Sequence, residues 1–278
     1  AAEAYARRVF TVDNSRIELI REEMGLNDPF IVRYVNYMLG LCQGDLGTSY
    51  KTRDPVGEEV WARLPNTAML ALTSTVVAIL LALPLGIIAA IKQNTLFDGI
   101  SMFISLLGIS MPVFWMGLLL ILFFSVKLGW FPVSGADQGI KSLVLPSIAL
   151  GFMHMASIAR TTRSSMLETI RQDYIRTVRA KGLPEKEVIT RHALRNALIP
   201  TTTVIGLQIG GMLGGSVLTE SVFAWPGIGR YMIQSIQGRD IPSVMGCIII
   251  FALSFAVINL IVDLIYGFID PRIKAQYK

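Results

Sequence analysis

The chain is poor in the residues that most often carry chemistry. Its 278 residues include two cysteines and two histidines, and only 16% are charged, where a soluble domain is about a quarter charged. Cys42 and Cys247 lie far apart with no C-x-x-C spacing, so neither a zinc framework nor a thiol redox motif is in view. No Gly-Lys pair occurs anywhere, which excludes the G-x-x-x-x-G-K-[ST] loop that cradles nucleotide phosphates. The apolar stretches hold no H-E-x-x-H, paired-aspartate or Ser/His arrangement, which argues against an intramembrane enzyme. A proton-coupled secondary transporter would need acids near the membrane midplane, and none is evident. An initiator Met and a signal peptide are also missing: "AAEAYARRVF" has no basic n-region followed by an apolar h-region.

What the chain does have is long uncharged runs. They cover Leu64–Ile91, Gly99–Val126, Ser142–Ala159, Asn196–Thr219 and Ile241–Val262. A membrane-spanning helix needs about 20 mostly apolar residues. The pattern predicts an all-α, polytopic membrane protein with five visible spans. Five spans leave the two ends on opposite sides. With the missing Met, this suggests a longer native chain with a sixth span before Ala1. The organisation expected is an extracytoplasmic helical segment over 1–66 and a transmembrane domain over 67–278.

Charge sets the orientation. Residues Arg160–Arg195 carry nine Lys/Arg against four Asp/Glu, and the tail Asp270–Lys278 carries three against one. Positive loops stay in the cytoplasm. These two segments and the short loop Lys92–Asp98 are therefore cytoplasmic, and 1–66, 127–143 and 220–242 face outward. The sequence pI of about 9.3 reflects this topology, with no need of a nucleic-acid partner. Trp61, Trp130 and Trp225 fall near outer boundaries, the depth favoured by aromatic belts.

Several local signals stand out. In the outer segment, Asp13 and Asn14 can cap a helix stopped by Gly25. Asp28 can cap a second helix, with Pro29 in its first turn. Phe30, Tyr34, Tyr37, Met38 and Leu41 recur on one face. Asp54-Pro55 opens a further short helix. The first span contains Pro84 and Gly86, and the second contains Gly108, Met111 and Pro112. Such breaks either kink a helix or line a pathway. His154 between Met153 and Met155 could offer soft ligands to nickel or copper, although i±1 neighbours diverge on a helix and a satisfied packing role is the preferred reading. Gly206, Gly210 and Gly214 are four apart, a spacing that lets helices approach closely in lipid, within this chain or against a second subunit. Asp263 is an ionisable group near the inner end of the fifth span. It is a functional candidate or one half of an interfacial ion pair.

The basic segment "DYIRTVRAKGLPEKEVITRHALRNALIP" (173–200) is the most informative. Tyr174, Ile175 and Val178 form an apolar stripe. Gly182-Leu183-Pro184 breaks the helix, and a second short helix starts at Glu185 with Val188, Ile189 and Leu194 on one side. Isolated helices this short are marginal in water. They need a surface, either a partner protein or the anionic inner leaflet.

This segment resembles the cytoplasmic EAA loop of bacterial ABC-importer permeases, in particular the dipeptide/oligopeptide/nickel permease family. "MGLNDPFIVRYVNYMLGLCQGDLGTSY", "SMPVFWMGLLLILFFSVKLGWFPVSG", "FAWPGIGRYMIQSIQGRDIP" and "NLIVDLIYGFIDPRIK" are also similar to that family, in the same order. The EAA positions depart from the pattern, reading Arg176-Thr177-Val178, and the general Leu-Pro pair falls at Leu194-Arg195. The resemblance implies a type I ABC importer permease fold in the bacterial cytoplasmic membrane. It also implies a coupling loop at about 171–195 that docks into a cytoplasmic ATPase through Tyr174, Arg176, Arg179, Ala180, Lys181, Gly182, Leu183, Val188 and Arg191. This chain would bind no cofactor, and ATP and Mg would sit on partner subunits. Two ATPases, a second permease subunit of the same family, an extracytoplasmic solute-binding protein and membrane lipid are the implied partners. Glu220, Trp225, Pro226 and Arg230, in a tight outer turn, would join Met111 and Pro112 as outer gate or pathway, though a hairpin that only packs is equally compatible with the turn. Peptides are the implied cargo. Nickel or a nickel chelate is the alternative, weakened by the presence of only His154 and His192.

Overall fold

The computed structural model describes Glu18, Arg21 and residues 27–269, with side chains as far as Leu264. The caps expected at Asp13 and Asn14, the stop at Gly25 and the basic tail lie outside the described residues. Everything described is helix, turn or loop apart from one isolated antiparallel bridge, Thr48 to Pro55.

The helices are α1 (Phe30–Cys42), α2 (Val56–Ile91), α3 (Leu96–Ser110) and α4 (Val113–Lys127), then α5 (Ile140–Ile170), α6 (Asp173–Ala180), α7 (Glu185–Val222), α8 (Ile228–Gly238) and α9 (Ile241–Ile269). Four of them, α2, α5, α7 and α9, are long and apolar enough to cross a membrane, and the bent pair α3–α4 makes a possible fifth.

Four sequence expectations change here. Pro29 itself precedes α1, and no side chain caps that helix, so Asp28 does not cap it. The short helix expected after Asp54-Pro55 runs on into the first span as one helix of 36 residues through Pro65 and Pro84. A proline removes one hydrogen bond and kinks a helix, yet α2 continues through both. The second span is not one rod. Pro112 disfavours helical backbone at the residue before it. Met111 turns extended (ψ 124°), and α3 and α4 meet at 106°. The second short helix expected from Glu185 is the foot of the fourth span. No Gly or Pro separates Glu185 from Ile199, and α7 runs unbroken for 38 residues, its turns over Val188–Ala193 wound as π-helix.

The chain divides into two compact units, residues 1–64 with 231–250, and residues 65–230 with 251–278. In the first unit, Asp240 is the polar centre. It accepts hydrogen bonds from Ser49 Oγ (2.5 Å), the Tyr50 amide (2.9 Å) and Ser243 Oγ (2.8 Å). Leu46, Val56, Val60, Cys247 and Ile250 are buried around it. Arg63 lies over the Tyr231 ring at 4.5 Å, and burial raises the Tyr231 pKa. α1 contributes no buried residue. The apolar face anticipated on it is real in spacing, yet Phe30, Tyr34 and Met38 are exposed.

In the second unit α5 is the hub. Lipid is as apolar as a leucine, so helices in a membrane associate through close packing and hydrogen bonds, and glycines set how close they come. A Cβ on Gly151 would meet the Ser74 carbonyl of α2 at 2.7 Å, and one on Gly108 of α3 would meet the Phe152 carbonyl at 2.4 Å. α5 also packs on α4 and α7. Leu70, Leu150, Met155, Ile158, Met212 and Trp225 fill the main core.

Candidate coupling and gate sites

The elbow anticipated as cytoplasmic is built from α6, the turn after it and the foot of α7. The turn requires Gly182, whose φ is +81° with open space around it; left-handed backbone of this kind suits glycine. Pro184 is extended and starts α7. The underside of the elbow is apolar and closed. Ile175 and Val188 are fully buried with Met166, Ala193, Ala197 and Ala90, and Tyr174, Val178 and Leu183 pack beside them. Tyr174 also ties the elbow down through its hydroxyl, which accepts from Asn196 Nδ2 at 2.6 Å and donates to the His192 carbonyl at 3.4 Å. Arg179 spans the break and grips Glu185 with two hydrogen bonds, 3.0 and 2.6 Å. That bond raises the guanidinium's pKa.

The residues anticipated for docking therefore separate. Arg176, Arg179, Ala180, Lys181, Gly182 and Arg191 are exposed, Tyr174 and Leu183 are half-buried, and Val188 points into the chain's own core. Asn196 was not anticipated; it lies 22 positions from Tyr174, and nothing local in the sequence announces the pairing.

The outer turn is organised around a buried acid. Glu220 is fully buried. Its Oε1 accepts from Thr67 Oγ1 (2.7 Å) and its Oε2 from the Arg230 amide (3.0 Å). Thr67 Oγ1 accepts in turn from the Ile228 amide at 2.9 Å. Trp225, also buried, donates its indole N–H to the Asn66 carbonyl (3.0 Å), and Asn66 Nδ2 donates to the Pro226 carbonyl (2.9 Å). Arg230 closes the turn by donating to the Ala224 carbonyl at 2.5 Å. A Cβ on Gly227 would fall 2.4 Å from the Glu220 carboxylate, so only glycine fits. The structure thus brings Glu220, Trp225, Pro226 and Arg230 into one knot and adds Asn66 and Thr67, which the sequence did not single out. Met111 and Pro112 sit apart from it, at the α3–α4 bend. α4 reaches the turn through Gly117, where a Cβ would stand 3.0 Å from Phe223 and 3.2 Å from Val222.

The remaining candidates resolve as follows. Gly206 and Gly210 press against α9, where a Cβ would come within 2.4 Å of Val262 and 2.9 Å of Phe255. Nothing lies within 4 Å of a Cβ on Gly214. His154 Nδ1 is 2.6 Å from Gln208 Oε1. Met155 is buried while Met153 is 40% exposed, so the two methionines do not share one environment with the histidine. Asp263 is exposed, and the ion pair expected for it is not formed among the described residues.

An all-helical chain with four long apolar helices, or five with the bent pair, has the architecture of a polytopic membrane protein. Comparison with known proteins places it. Residues 82–275 match the family model "Binding-protein-dependent transport system inner membrane component", and this chain belongs to that family. It is similar to the dipeptide transport system permease DppB of Alkalihalophilus pseudofirmus, with 48% identity over 92% of this chain and 85% of that one. It is also similar to the glutathione transport system permease GsiC of Escherichia coli K12, with 44% identity over 94% and 85%. Among solved structures, the inward-facing MetNI methionine ABC transporter shares the fold, with a TM-score of 0.65 at 19% identity over 76% of this chain and 96% of that one. The chain is thus a multi-pass, non-catalytic inner-membrane permease component with the type I importer fold. It works with a binding protein and ATPase partners.

Proposed function

We propose that this chain moves peptides inward as one of two related permease subunits, driven by two cytoplasmic ATPases that dock on the elbow. ATP and Mg are bound and turned over on those ATPases. An extracytoplasmic binding protein delivers the peptide above the outer turn, lipid surrounds the spans, and nucleic acid has no part. Closure of the ATPases draws the elbows together, and the spans shift between inward- and outward-open arrangements, a two-state element biased by ATP. The observation that carries this reading is the elbow itself: its apolar side is sealed against its own chain, while Arg176, Lys181, Gly182 and Arg191 are exposed, free to meet a partner on the side that the positive charge assigns to the cytoplasm. The peptide cargo is supported by the names of the similar permeases.

Reconstitution of the whole complex in vesicles tests it. Arg176→Glu with Arg191→Glu is expected to abolish ATP-dependent uptake and co-purification of the ATPases while the chain stays inserted. Uptake that survives ATP depletion and collapses with the proton gradient would overturn the mechanism. A binding partner that takes nickel chelates and ignores peptides would overturn the cargo.

A further inference from the structure

The α2–α3 loop is clamped to α5 by a pair of charges that the elbow does not include. Asp98 lies in the first turn of α3 and is only 6% exposed. Arg163 of α5 meets it in a two-pronged bond, Nε to Oδ1 and Nη2 to Oδ2, each 2.8 Å. The carboxylate also accepts from the Asn94 amide at 3.1 Å, and Asn94 holds a left-handed turn at φ +61°. The acid thus fixes its own loop, favours the helix N-terminus it sits on and binds α5. A second strut follows eight residues along α5, where Arg171 donates to Gln93 Oε1 at 3.2 Å. Arg171 directly follows α5, and after Gln172 α6 begins at Asp173.

These placements make a mechanical chain. The elbow is rooted in α5, and α5 grips the loop that joins α2 to α3. Fork-shaped pairing fixes orientation as well as distance, so rotation of α5 about its axis carries the loop with it. We infer that Asp98 and Arg163 are positioning residues that transmit elbow movement to the inner ends of α2 and α3. This inference rests on the elbow being the site of ATPase docking.

The test uses the reconstituted complex with its ATPases and binding protein. It compares wild type with Asp98→Asn, Arg163→Gln and the double variant. The readout is solute imported per ATP hydrolysed by assembled complexes, which a purely structural defect would not move. Each single variant should lower that ratio about two- to thirty-fold, and the double variant should be no worse than the weaker single, because one contact is lost in all three. Single variants that keep the wild-type ratio, effects that multiply in the double variant, or complexes that fail to assemble would each overturn the inference. A wild-type complex with no ATP-dependent uptake would instead defeat the docking reading itself.

Discussion

The two candidate sites of this permease, the elbow and the Glu220 turn, treat charge in opposite ways. At the inner elbow the charged groups stand in water and the apolar groups are sealed below them. At the outer turn the acid is sealed and the turn is wrapped around it. Exposed ion pairs contribute little stability, because water and side-chain entropy offset the attraction. A buried acceptor whose donors would otherwise be orphaned is expensive to remove. Stability should therefore be concentrated at the outer turn, and sensitivity of coupling without loss of stability should be concentrated at the elbow.

The sharpest way to break that contrast is Glu220→Ala. It leaves the Thr67 hydroxyl and the Arg230 amide facing a hole. The expected cost is about 1–3 kcal/mol for each orphaned donor, read as a lower melting midpoint of the purified complex. Gly227→Ala should rank beside it, since an added methyl has nowhere to go and overpacking costs about 1–3 kcal/mol. If both variants melt like wild type, the outer knot is not a stability element and the contrast fails.

Much of this was legible in the sequence, for definite reasons. Runs without charge locate apolar helices whatever their neighbours do, so four of the five expected spans fall inside single long helices and the other inside the bent pair, and the Gly182-Leu183-Pro184 break is local chemistry that falls where α6 and α7 part. The 106° bend was half legible: Pro112 stands out in the sequence, but a proline either kinks or breaks a membrane helix, and its neighbours decide which. The side-chain partner of Glu220, Thr67, is 153 residues away and that of Asp98, Arg163, is 65 away. No periodicity encodes such distances, so the acids could be flagged only as charges beside apolar runs. Val188 shows the opposite failure. Its helical stripe was recognised, but the stripe faces the chain's own core.

A smaller effect is expected at Gly182, and it tests whether the elbow's shape or its charge matters for stability. The space beside Gly182 is open, so Gly182→Ala pays only for left-handed backbone, about 1–2 kcal/mol. Gly182→Asn should cost less, since asparagine tolerates that conformation. Melting midpoints ordered Gly, Asn, Ala check this. An alanine variant as stable as wild type would show that the turn does not need that backbone.

The smallest effect belongs to Arg179→Gln. The pair with Glu185 has good two-pronged geometry, yet the two side chains are 39% and 56% exposed, and such pairs are worth about 0–1 kcal/mol. The melting midpoint should fall slightly at low salt, and the difference from wild type should vanish at about 1 M salt, where screening acts within about 3 Å. Under the proposed docking, uptake should fall more than stability does, because Arg179 spans the α6–α7 break. A variant that loses stability as heavily as Glu220→Ala, with no dependence on salt, would mean that the elbow's charges are structural and that the two ends of the molecule do not divide the work in this way.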